Sequence, residues 1–180
     1  MKRIVLFILI VILLTGCWTG MEKGWYNITN FILPDDYEFL ALKEELYMPV
    51  LIIEYMRHNF EYKYSIYAKS PYQLWKIKEG DCNDFSLFFT FIAHWNGFDT
   101  WQIRITFDDS NINHWLGVWA CIEQNETIYN YTTNQYYGGA GTSFEAIVIH
   151  YCESNNRSWK KYEVFDFDMN IVIVEEKTQP

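Results

Sequence analysis

The chain lacks a basic surface of the kind a nucleic acid needs. Lysine and arginine total 14 against 23 aspartates and glutamates, a net charge of −9 with a pI near 4.8. Phosphate binding requires a clustered basic face, so no nucleic-acid partner is expected. No internal repeat or low-complexity segment is present, which sets aside repeat architectures. His58, His94 and His150 do not form a ligand pair at helical or strand spacing, so neither a metal nor another cofactor is expected. Asp108-Asp109 with Asn111 and Asn113 lacks the sixth-position glycine and terminal glutamate of a calcium loop and reads as a solvated turn.

A bilayer-spanning run is also missing, since such a run needs about 20 apolar residues. What stands at the amino terminus is shorter. Lys2 and Arg3 precede an unbroken apolar stretch, Ile4 to Leu14, which closes in Leu14-Thr15-Gly16-Cys17. A positive start, an apolar run of this length and small residues before a boundary form a secretory signal. The cysteine directly after the small residues resembles the bacterial lipobox. That resemblance implies a signal peptide over 1–16, lipidation of Cys17, a tether over 17–33 and one domain over 34–180. The expected place is the bacterial cell envelope, with the lipid anchor as the membrane contact.

Cysteine is scarce. Setting Cys17 aside leaves Cys82, Cys121 and Cys152, an odd number in an exported protein, which signals a reactive thiol or an intermolecular pair. Cys121 and Cys152 are either a disulfide or two buried thiols.

The remainder is rich in core-forming residues, with 50% hydrophobic and 19% aromatic, enough for one folded domain. Asp36 can cap a helix running through Tyr37, Leu40 and Met48, and Pro49 opens or kinks the next. Ser70-Pro71 starts a short helix closed by Glu79-Gly80. From Asp81 to Asn96 apolar residues occupy nearly every face, so this helix is the buried one, and Gly97 ends it. Strands follow at Thr100–Phe107, Trp115–Ile122, Thr127–Tyr131, Phe144–Ile149 and Met169–Val174. Asp108–Asn111 and Gly138–Gly141 read as loops. Helices first and strands afterwards is an α+β order, a mostly antiparallel sheet packed on one central helix.

The chemistry gathers at Gly80-Asp81-Cys82-Asn83-Asp84-Phe85. A cysteine in the first turn of a helix meets unpaired N–H groups and the positive end of the helix dipole, which favour a thiolate. The N–H groups of Cys82 and Asn83 can also hold an oxyanion. A thiol nucleophile needs a histidine and a third group to orient it, and His114 and Asn130 follow in that order. Asn134 and Asp166 are the alternatives for the third position, while Asp84 is expected to stabilise the helix start.

Gly80-Asp81-Cys82-Asn83-Asp84-Phe85, then Asn113-His114-Trp115 and Tyr129-Asn130-Tyr131-Thr132, resemble the transglutaminase-like superfamily, nearest its bacterial cysteine-protease members. The resemblance spans about Ser70 to Tyr137. It implies a papain-like fold, Cys82 as nucleophile, His114 as general base and acid, and Asn130 where the superfamily usually has Asp. It also implies an oxyanion contribution from the segment before the cysteine, for which Gln73 and Trp75 are the candidates. A peptide or protein substrate is expected, with hydrolysis favoured over cross-linking. The rival expectation is a catalytically weak or inactive binding or assembly module at the membrane surface.

Overall fold

The first helices begin where a side chain can satisfy their free N–H groups. A computed structural model describes residues 32–110 and 112–177; Cys17, the signal and most of the tether lie outside the described residues. Helix α1 (Tyr37–Glu45) is capped by Asp36, whose carboxylate accepts from the Glu38 and Phe39 N–H groups at 3.0 and 3.1 Å. Helix α2 (Pro49–Asn59) carries proline at its first position, where the missing N–H costs nothing. Helix α3 (Pro71–Ile77) opens on a capping box formed by Ser70 and Gln73 and stops at Lys78, which takes a φ of 66°. Strands β1 (Glu61–Tyr62) and β2 (Glu79–Gly80) form a short parallel bridge just ahead of the central helix.

That helix, α4 (Cys82–Trp95), is buried without interruption from Asp84 to Ala93. Phe85, Phe88, Phe89 and Phe91 are all at most 1% exposed; burying each contributes roughly 1.5–3 kcal/mol. Around them pack Phe39, Ile52, Met56, Phe60 and Leu74 from the preceding helices. One face of the sheet closes this core.

The sheet runs in the order β6-β5-β4-β3-β7-β8, with every pair antiparallel. Its strands are β3 (Thr100–Phe107), β4 (Asn113–Glu123), β5 (Glu126–Thr133), β6 (Tyr136–Gly141), β7 (Trp159–Phe165) and β8 (Ile171–Glu176). Alternation along β4 assigns its residues to two faces. Gly117 faces α4, where an added Cβ would come within 2.9 Å of the Phe89 ring. Leu116 and Val118 face the other way and pack with Ile147, Val148 and Tyr151. The expected α+β architecture, a cysteine-bearing buried helix on a mostly antiparallel sheet, is what the chain forms.

Three local readings are corrected. Phe144–Ile149 is not a strand but the start of helix α5 (Phe144–Ser154), capped by Ser143, which accepts from the Ala146 N–H at 3.1 Å. The β-branched run suggested a strand, yet the buried positions Ile147, Val148, Tyr151 and Cys152 follow helical spacing. Gly138–Gly141 is no loop; it lies within β6. A Cβ on Gly138 would fall 2.1 Å from the Tyr131 ring, so these glycines admit that ring against the strand. Trp159–Phe165 supplies a strand, β7, for which the sequence reading had no assignment.

The start of α4 is fixed by two carboxylates. Asp81 accepts from the Asn83 and Asp84 N–H groups at 3.0 and 3.4 Å and from the Ser65 N–H at 3.1 Å. Asp84, fully buried, accepts from the Asp81 N–H at 3.1 Å, the Lys69 N–H at 2.6 Å and the Lys69 ammonium at 3.0 Å. Together they tie the segment from Ser65 to Lys69 to the first turn. Removing the Asp84 carboxylate strands those donors and one cation in the interior. Asp84→Ala is expected to lower the unfolding free energy by about 3–5 kcal/mol, and Asp84→Asn by less, both measured by urea denaturation. Equal stability of Asp84→Ala and the natural chain would show that the carboxylate is not the organising group.

Candidate functional site

Cys82 is the first residue of α4 and its side chain is half-buried. Its sulfur lies against the N–H of Trp115 as well as the N–H groups of Asn83 and of Cys82 itself. Trp115 follows His114 at the start of β4, so the helix start and the strand start meet at this end of the sheet.

The His114 ring is held on two sides. Its Nε2 lies 3.0 Å from Thr133 Oγ1, and its face stacks on the Tyr151 ring with centroids 4.9 Å apart and planes within 4°. Tyr151 comes from α5, hydrogen-bonds Thr133, and is near enough to Cys82 for a charge there to raise its own pKa. His114, Thr133 and Tyr151 therefore form one cluster, and Cys82 meets β4 at the residue after the histidine.

The Cys82 thiol and the His114 ring are both held in their neutral forms at pH 7. Burial pushes the Cys82 thiol up to about 11, with the nearby Asp81 carboxylate acting in the same direction and the three N–H groups opposing it. Burial brings His114 down to about 4, and the neighbouring Arg157 guanidinium adds to the effect. The helix start by itself favours a thiolate. Desolvation outweighs that contribution here.

Asn130 is not the group on the ring. Its amide donates to the Cys121 sulfur at 3.2 Å and its carbonyl accepts from the Tyr137 hydroxyl at 3.0 Å. The reason is strand alternation. Tyr131 packs with Tyr151 on the α5 face, so its neighbour Asn130 points to the opposite face, and Thr133 returns to the histidine's side. Of the alternatives, Asn134 lies in the β5–β6 turn, and Asp166 accepts from the Asn170 backbone and side chain.

The two oxyanion candidates ahead of the cysteine are occupied elsewhere. Gln73 is exposed, and its carbonyl accepts from the Ser70 N–H at 2.9 Å. Trp75 packs edge-on against Phe39 at 5.2 Å with the Lys76 ammonium 4.1 Å from its ring. The Asn83 N–H already donates to Asp81. Cys121 and Cys152 are both free thiols. They lie on opposite faces of the sheet, Cys121 with Asn130 and Cys152 in the core beneath α5, so no bridge can join them. Thr133 and Tyr151 had escaped the sequence reading; a hydroxyl two residues from a paired strand position carries no motif.

The first 17 residues match the prokaryotic membrane lipoprotein lipid attachment site. The chain is an exported, membrane-anchored lipoprotein. Its structure is similar to that of LapG from Legionella pneumophila, with a TM-score of 0.42 and 12% identity over 81% of this chain and 75% of that one. Comparison with curated proteins finds no match. No described helix is long and apolar enough to cross a membrane.

The depressed His114 value has a consequence for stability. As pH falls through 6.5 the unfolded chain takes up a proton on this ring, whereas the folded chain does not until about 4. Stability linked to His114 is therefore lost between pH 6.5 and 4. The ring's NMR titration is expected to have its midpoint near 4. Over the same range the natural chain should lose more thermal stability than His114→Gln. A midpoint near 6.5 would contradict the desolvated placement of the ring.

Proposed function

We propose that this lipoprotein is a thiol acyl-transfer enzyme of the transglutaminase-like type that hydrolyses a peptide or amide bond at the membrane surface. Residues 1–16 are removed as a signal and Cys17 carries the lipid. The observation that carries the reading is the packing of the Cys82 thiol against the backbone beside His114, whose ring is held by Thr133.

In the reaction the Cys82 sulfur attacks the substrate carbonyl as His114 accepts the thiol proton, so the charge separation arises only as the bond forms. The imidazolium then passes its proton to the amine, the C–N bond breaks, and a thioester remains on Cys82. Water adds to the thioester with His114 as base; the acid departs and the thiol is restored. Thr133 takes the place proposed for Asn130 as the group that sets the ring, and the N–H of Cys82 faces the developing oxyanion, the Asn83 N–H being held by Asp81. A resting pair that is neutral depends wholly on His114 for proton removal.

One observation favours a second reading, a binding module with little catalysis. The thiol sits at about 11 and its histidine is oriented by a hydroxyl, which stabilises an imidazolium less than a carboxylate does.

Iodoacetamide separates the two. Modification of Cys82 at pH 7, followed by peptide mass, is expected to slow about 100-fold or more in His114→Ala, the scale of general-base assistance. Equal rates in the two proteins would remove His114 from the chemistry and leave the binding module.

A further inference from the structure

Arg157 lies between α5 and β7, and its N–H donates to the Cys152 carbonyl near the end of α5 at 2.9 Å. Its guanidinium stands 3.5 Å from the centre of the Phe107 ring, a cation–π contact. Phe107 stacks on Tyr151, with centroids 6.4 Å apart and 30° between the planes. Tyr151 stacks in turn on His114. A column of planar groups therefore runs from Arg157 through Phe107 and Tyr151 to the imidazole.

The outer end of the column is fastened. Arg157 Nη2 donates to Asp109 Oδ1 at 2.7 Å and to Ser110 Oγ at 2.9 Å. Beside them the Asp108 N–H donates to the Ser158 carbonyl at 3.0 Å. Asp109 and Ser110 lie between β3 and β4, shortly before His114. One guanidinium thus joins the helix that carries Tyr151 to the segment that leads into the histidine. An exposed ion pair is worth only about 0–1 kcal/mol alone. This one also covers Phe107, whose ring is buried and bears directly on Tyr151.

Taking His114 as the base of the proposed reaction, we propose that Arg157 is its positioning residue, closing the column so that the imidazole stays seated on Tyr151. Arg157 also acts through its charge, which adds to the burial that holds the histidine down. The other groups against the ring are uncharged at pH 7. They are Thr133 from β5, Ile105 opposite it on β3, and Tyr151, whose phenol burial pushes up to about 12.

Position and charge have opposite signs in one variant. Asp109→Asn keeps the cation and removes its neutralising partner, so charge alone would lower the His114 midpoint or leave it. A ring freed from its seat gains water, and its midpoint rises toward 6.5.

The test uses the full chain, with the NMR titration of the His114 ring and iodoacetamide modification of Cys82 at pH 7. The midpoint is expected to rise from about 4 in Asp109→Asn, and further in Arg157→Ala. The ring protons, shielded by Tyr151, should move downfield in both. Modification should slow about 10-fold in Arg157→Ala and by less in Asp109→Asn, below the roughly 100-fold that a displacement of about 1 Å can cost. An unchanged or lower midpoint in Asp109→Asn would overturn the positioning, and slow modification of His114→Ala would then leave the enzyme standing. A raised midpoint with unslowed modification in Arg157→Ala would remove Arg157 from the reaction where His114→Ala is slow. If His114→Ala is not slow either, the seat is upheld and the enzyme is rejected.

Discussion

The buried Asp84 carboxylate is the constraint on which the rest of this structure depends. It closes the first turn of α4 and also holds Lys69 by both its backbone and its ammonium group. A carboxylate at this depth is tolerable only because each donor around it is matched; burial still pushes its pKa upward against the Lys69 hydrogen bonds. The helix that begins there is apolar on all sides and cannot shift without uncovering phenylalanine. Cys82 is thereby held in place by charge at one end and by the aromatic core at the other.

A thiol at a helix start is usually discussed in terms of the dipole. Here the surroundings act against it. Stacked on Tyr151 at the start of β4, the histidine has little water to support a proton, and the sulfur has little to support an anion. A neutral pair is the lower-energy resting state.

The sheet sorts side chains between two environments. On the α5 face, β4 and β5 bring His114 and Thr133 together beneath Tyr151. On the α4 face they set Trp119 against the Phe89 ring and pair Asn130 with Cys121. Cys82 comes in at the shared end, against the Trp115 backbone between those faces.

Much of this was legible in the residues. The export signal ending at Cys17, the capped helices at Asp36 and Ser70, the buried helix from Cys82 and the strand over Thr100–Phe107 all follow from local rules of capping, burial and alternation. So does the presence of Cys82 and His114 in the expected order. The strand expected over Phe144–Ile149 is a helix because a short β-branched run suits either a strand or a buried helix, and only the packing of Tyr151 and Cys152 decides. Gly138 lies in a strand because of the Tyr131 ring, a neighbour from another strand. The residue that meets His114 depended on register: a shift of one position sends a side chain to the opposite face, so Thr133 and not Asn130 reaches the ring. By itself the sequence determined the anchor, the class of fold and the buried helix that begins at Cys82, since these rest on contacts between near neighbours in the chain. The protonation of Cys82 and His114 and the group on the ring were decided by tertiary structure, because desolvation and cross-strand pairing exist only once distant segments have met.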